Sequence, residues 1–192
     1  ESSVSSRQRI GELEILSFPT GWVRANCYVV FRPGAREALV VDPGERATTV
    51  LRQLLDEHRL TPRGVLLTHG HIDHIWSARR FCDRYGIAAH IHAGDRAMLW
   101  DPIRGVGPRA AQRLVGALFN EPKHVVELAD GDRLELAGIP LTVDHTPGHT
   151  PGSVSFRLPG VADRDVVFTG DTLFSGTVGR TDLGGGSGNH LL

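Results

Sequence analysis

The sequence predicts an α/β fold built as one domain, on three observations. Short apolar runs rich in valine, leucine and isoleucine recur between glycine and proline punctuation, a helical apolar period interrupts them, and several of the runs end in a histidine or an aspartate. At 192 residues the chain supports one sizeable core, and two full domains would be a tight fit.

Taken in order, residues 1–12 are polar, rich in serine and arginine and without periodicity, and read as a flexible tail preceding a single domain over 13–192. LEILSF (13–18), NCYVVFR (26–32) and EALVVDPG (37–44) read as strands separated at Pro19, Gly21, Pro33 and Gly34. From Arg46 the period changes. Val50, Leu51, Leu54 and Leu55 recur at helical spacing up to Leu60, and GVLLT (64–68) then reads as a buried strand. A second helix is expected from about His74 to Tyr85, stopped at Gly86, with IAAHIHA (87–93) as the next strand. Residues 94–122 suggest two short helices in an excursion that lids a site. HVVEL, DRLEL, IPLTVDH, SVSFRL and DVVFTG return the chain to strands.

Composition narrows the function classes. With 40% hydrophobic residues, 22% charged residues and a formal net charge of −1, the chain gives no reason to expect nucleic acid as a partner. There is no apolar run long enough to span a membrane and no secretory signal at the start, so neither membrane nor export is expected and the location reads as cytoplasmic. The two cysteines, Cys27 and Cys82, read as buried thiols rather than a disulfide framework.

The chemistry collects where strands end. Ten histidines occur in the chain, and three of them, His69, His71 and His74, fall within THGHIDH (68–74) together with Asp73. In extended chain the H-x-H pair projects two imidazoles to one side, and the following Asp-His turns a carboxylate and a third imidazole toward a neighbouring point. Imidazole and carboxylate donors suit zinc, iron or manganese, and the lack of a nearby cysteine pair points to an open catalytic site rather than a closed structural one. LTVDHTPG runs into His149, VVFTG into Asp171 and LVV into Asp42, so residues distant in sequence are expected to converge on one rim. Asp42 reads as a turn or supporting carboxylate ahead of a direct ligand, and His145 as a neighbour that orients one. His90 and His92 read as residues of an exposed edge, His58 as a helix-end histidine and His124 as surface.

THGHIDH, TPGHT (146–150), GDTLF (170–174) and GRTDL (179–183), with DPG at 42–44, together resemble the metallo-β-lactamase fold superfamily in its glyoxalase II branch, of the compact single-domain type, across residues 13–192. The resemblance implies a four-layer αββα sandwich, with two mixed β-sheets face to face, helices outside and metals along one edge. It assigns His69, His71 and His149 to a first metal site, Asp73 and His74 to a second, and Asp171 to the bridge between them. The family also expects a further histidine on a later strand, and the chain reaches Leu192 without one in that context, so the domain is expected to lack the family's final strand and helix. His190 is the one late candidate. One or two ions per chain follow, zinc first, with iron or manganese accepted by the same donors.

The activity so implied is hydrolysis of an S-2-hydroxyacyl thiol conjugate, with a metal-activated water attacking the carbonyl and Asp73 orienting it. A thiolate leaves without a strong acid. Arg180 reads as an anion clamp for a substrate carboxylate or, equally, as a structural ion-pair partner, and Trp22 and Trp76 as substrate walls. The expected partner is a small-molecule thioester. The second reading is an iron-dependent persulfide dioxygenase, although SGTV between GDTLF and GRTDL lacks the arginine and cysteine of that group. A lactonase and a non-catalytic metal-binding module rank lower.

Overall fold

Alternation of burial along the strands explains how the layers form in a computed structural model of the chain, which describes residues 6–102, 119–161, 164–171, 173–174 and 177–178. Strands β1 (Ser6–Ile10), β2 (Leu13–Thr20), β3 (Ala25–Phe31), β4 (Glu37–Val41), β5 (Thr61–Leu66), β6 (Ala89–His92) and β7 (Val125–Leu128) form one sheet in that order. Pairing is antiparallel from β1 to β4 and parallel from β4 to β7, so this sheet is mixed. Strands β8 (Arg133–Leu136), β9 (Ile139–His145), β10 (Val154–Val161) and β11 (Arg164–Phe168) form a second, antiparallel among the described strands, in the order β11-β10-β9-β8. Strands β12 (Leu173–Phe174) and β13 (Thr177–Val178) pair as a short hairpin.

The central strands of the large sheet read as continuous apolar runs because both of their faces are buried. On β3 and β4, Cys27, Val29, Phe31, Ala38 and Val40 face helices α1 (Ala47–His58) and α3 (Ala78–Tyr85), packing against Leu51, Leu54, Phe81 and Cys82. Their neighbours Val30, Leu39 and Val41 face the second sheet, meeting Ile139, Val143, Val154 and Phe156. Tyr28 on β3 meets Phe168 on β11 edge to face, with ring centroids 4.9 Å apart, and so ties the sheets together beside the site. Helices, large sheet and small sheet are thus three stacked layers of the expected sandwich. Both cysteines are buried thiols.

Three expectations change. The N-terminal tail does not extend to residue 12: Ser6–Ile10 is a strand that pairs with β2 from Ser6↔Ser17 to Ile10↔Leu13. Its polar side chains hid it, since an edge strand needs backbone pairing but little apolar burial. The helix expected from His74 to Tyr85 is two helices, α2 (Ile72–Ile75) and α3. Ser77 divides them because its N–H donates to the Pro43 carbonyl at 2.9 Å and its hydroxyl to the Gly44 carbonyl at 2.7 Å, which draws it out of the helical ladder. α3 ends at Gly86 as expected, in the left-handed conformation (φ 64°), with Ile87 N–H returning to the Cys82 carbonyl. In the excursion, Ala93–Leu99 is a 3-10 helix, and the second expected helix lies outside the described residues.

Candidate metal centre

Parallel pairing of β4, β5 and β6 brings their carboxyl ends to one edge, and the loops leaving that edge carry the candidate residues. Asp42 follows β4 in the left-handed region (φ 49°), a conformation short polar residues tolerate, and this turns its carboxylate back into the protein. There it accepts from Thr68 N–H at 2.8 Å and from the Thr68 hydroxyl at 2.6 Å, and it meets Nδ1 of His74 at 2.9 Å. With the Thr68 proton committed to Asp42, the remaining lone pair of that hydroxyl accepts Nδ1–H of His69 at 3.1 Å. His69 therefore holds its proton on Nδ1 and presents Nε2 as a bare lone pair, while His74 holds a proton on Nδ1 and turns Nε2 toward Asp171. Gly170 permits this arrangement: its φ is +53°, and an added Cβ would run into the Thr68 hydroxyl.

Two donor groups result. His69, His71 and His149 form one; His69, His74 and Asp171 form the other, and within each the ligand atoms lie within 4.8 Å of one another. The rings of the first group stand nearly perpendicular, at centroid separations of 4.8 Å (His69–His71), 4.7 Å (His69–His149) and 4.5 Å (His71–His149). Asp171 lies between the groups, with Oδ1 3.3 Å from His74 Nε2 and Oδ2 3.6 Å from His149 Nε2. Among the described residues, buried His69 Nε2 makes no hydrogen bond, an arrangement that costs about 1–3 kcal/mol unless something else accepts its lone pair. A cation supplies that acceptor, and imidazole with carboxylate is a donor set that zinc and iron take.

Electrostatics agree with that fit. Burial, reinforced by His74, His71 and His149, holds His69 well below its ordinary range, so it is neutral at pH 7. Burial, then His149, lowers His71 to about 4. Burial alone would lower His74 too, but the carboxylates of Asp42 and Asp171 outweigh it and raise it to about 10. Asp171 stays below the usual carboxylate range, because its hydrogen bond with His74 overcomes burial. Without a cation His74 thus carries a second proton, on the Nε2 that faces Asp171, and a cation bound there takes the place of that proton.

His74 and Asp171 of the second group reach an open cleft of about 770 Å³, lined also by Asp73, Arg24, Asn26 and Tyr28. Five of the six expected metal donors converge in the two groups. Asp73 belongs to neither: half-buried, it stands beside them with Oδ2 3.6 Å from His74 Nε2. Asp42 supports rather than joins the donors, as expected. His145 is turned to other partners: its Nε2 meets the Pro151 carbonyl at 2.9 Å, and its ring stacks on His92 at 4.1 Å. His90 is not on an exposed edge, because β7 lies outside β6; it is buried, with Nδ1 3.1 Å from the Val65 carbonyl. Trp22 is 86% exposed on the turn between β2 and β3, and its neighbours Val23 and Arg24 reach the cleft. Trp76 packs on Phe119 in a separate groove of about 250 Å³. Arg180 and His190 lie outside the described residues. Sequence reasoning missed Asp95, fully buried and hydrogen-bonded to Gly70, Thr150 and Gly152.

A two-sheet α/β sandwich that gathers histidines and carboxylates at its strand ends defines a class of metal-dependent hydrolase. The chain belongs to the metallo-beta-lactamase superfamily, whose family model matches residues 20–191. It is 56% identical over 181 residues to an uncharacterized protein of Mycobacterium tuberculosis (strain H37Rv), covering 93% of this chain and 81% of that one. It is 35% identical over 175 residues to the probable metallo-hydrolase YqgX of Bacillus subtilis (91% and 78% covered). To the hydroxyacylglutathione hydrolase GloC of Haemophilus influenzae it is 31% identical over 186 residues (94% and 81% covered). Among solved structures it is similar to the BLEG-1 B3 metallo-beta-lactamase, with a TM-score of 0.76 at 35% identity, covering 92% of this chain and 81% of that one. TTHA1623 in a di-iron-bound form follows at 0.70 and 30% (91% and 81% covered), and ETHE1 from Myxococcus xanthus at 0.65 and 26% (87% and 61% covered). No described helix is long and apolar enough to cross a membrane.

Proposed function

We propose that this chain is a glyoxalase II-like hydrolase of S-2-hydroxyacyl thioesters. Zinc is the expected cation, with iron or manganese accepted by the same donors; His69, His71 and His149 would hold one ion, and His74 with Asp171 would hold a second. The observation that carries the reading is the placement of Asp171 between His74 and the His149 of the three-histidine group, at the wall of an open cleft. Likeness to GloC across 94% of this chain supports the thioester over the other substrates its superfamily admits.

Bound cations lower the pKa of a coordinated water toward 7 and withdraw charge from a carbonyl oxygen. The chain's own residues do the rest. Asp73 borders the cleft, where its carboxylate accepts a hydrogen bond from the attacking water and points a lone pair of that water at the substrate carbonyl. Tyr28 lines the same cleft; burial, with the nearby Asp42 charge, raises its pKa, so it stays a neutral phenol there at working pH. A thiolate leaving group, with a thiol pKa of about 8.5, departs without a placed acid. Arg180, in the GRTDL motif, is the proposed clamp for a substrate carboxylate.

Thiol release from S-lactoyl thioesters, measured beside oxygen uptake with a persulfide and ring opening of a lactone, tests the reading. Thioester turnover exceeding the others supports it. Oxygen uptake with a persulfide and no thioester turnover replaces it with a dioxygenase.

A further inference from the structure

The 3-10 helix Ala93–Leu99 supplies no metal donor, yet it lies between the two loops that carry the three-histidine group. Gly70, flanked by His69 and His71, donates its N–H to Asp95 Oδ2 at 2.8 Å. Thr150, next to His149, donates its hydroxyl to the same oxygen at 2.6 Å, and Gly152 donates its N–H to Oδ1 at 2.7 Å. The direction of the Thr150 bond is fixed by Asp95, whose carboxylate only accepts; with the Thr150 proton committed there, the 2.7 Å contact with Ser153 Oγ is donated by Ser153, which also accepts from Thr150 N–H at 3.0 Å.

Packing holds the three segments together as closely as the hydrogen bonds do. A Cβ on Gly70 would sit 2.6 Å from Met98 Cβ, and one on Gly152 would sit 2.5 Å from the Asp95 nitrogen. One on Gly94 would lie 3.1 Å from the Gly152 Cα. A fully buried carboxylate is costly unless its lone pairs are occupied, and here each of these hydrogen-bond partners of Asp95 belongs to a loop bearing a metal donor.

We infer that Asp95 is a positioning residue that sets the distance between the His69–His71 loop and the His149 loop, and thereby the affinity of the three-histidine group for its cation. The inference rests on the metal reading above. Asparagine in its place retains one acceptor oxygen but turns an NH2 toward the N–H of Gly70 or of Gly152, so donor meets donor and one loop is released.

The test titrates zinc alone into the metal-free chain against a chromophoric chelator, with urea unfolding of each variant alongside. Asp95→Asn weakens the tightest zinc by about 10–100-fold, the range for groups that orient metal ligands. Thr150→Val, which removes one hydroxyl and little volume, weakens it by about tenfold, and Thr150→Ser restores it. A merely structural Asp95 lowers the urea midpoint and leaves zinc affinity unchanged, and that result in both Asp95→Asn and Thr150→Val overturns the inference. Should Asp95→Asn fail to fold, the Thr150 pair decides alone: serine rescue supports the inference, and equal affinity of valine and wild type overturns it. A wild-type chain that binds no zinc overturns the metal reading and this inference with it.

Discussion

Replacing Asp42 by asparagine separates the two donor groups. The carboxylate is 2% exposed, and it holds the Nδ1 proton of His74, itself 3% exposed, at 2.9 Å. An asparagine keeps an acceptor for Thr68 N–H, but its NH2 then faces His74 Nδ1. It donates where the carboxylate accepted, and the imidazole proton is driven to Nε2, the atom that faces Asp171. A protonated Nε2 has no lone pair for a cation. Groups that orient metal-bound histidines are worth about 10–100-fold in affinity, and the lack of solvent to substitute here places Asp42→Asn near about 100-fold, or about 2.8 kcal/mol, for the second equivalent. The three-histidine group is weakened less, because His71 and His149 have no contact with Asp42 among the bonds described and His69 meets it only through the Thr68 hydroxyl. Calorimetric titration of zinc into metal-free protein resolves the two equivalents. Two equivalents bound at wild-type affinity by Asp42→Asn refute the reasoning.

Other changes bear on separate links. His69→Ala removes a donor from the three-histidine group, so the equivalent held there is lost; unchanged metal content by elemental analysis contradicts the assignment. Asp73→Asn, outside both groups, leaves metal content intact and lowers kcat by about 100-fold with little change in KM, as loss of a water-orienting carboxylate does; metal loss instead makes Asp73 a ligand. His90 is held neutral by burial, with its pKa below that of the unfolded chain. As pH falls below about 6.5 the unfolded state takes the proton first, so stability present above that pH is lost toward the lower folded pKa. His90→Gln removes this part of the acid sensitivity, and parallel urea midpoints for the two proteins between about pH 7 and 5 refute it.

What the sequence carried was what local spacing can encode. His69, His71 and His74 lie within six positions, and strands ending in His149 and Asp171 announce themselves by the apolar runs before them. Asp95 gave no such signal: its partners are 25, 55 and 57 residues away, and AGDRAM resembles any loop. Strand order was equally hidden. Placing His90 on an edge required knowing whether another strand follows β6, and β7 arrives after more than thirty residues to take the edge itself. Strand β1 escaped because its alternation is polar on both faces until Ile10. Asp73, from the same motif, borders the cleft with Oδ2 3.6 Å from His74 Nε2.

The central claim is that cations held by these donors enable thioester hydrolysis, and stepwise return of zinc to chelator-treated protein, with thiol release followed continuously, tests it most directly. The metal-free chain should show no turnover above the uncatalysed rate, and activity should rise with added zinc and reach its plateau at no more than two ions per chain. Thioester hydrolysis undiminished by removal of the metal, or no hydrolysis at any zinc loading, contradicts the account.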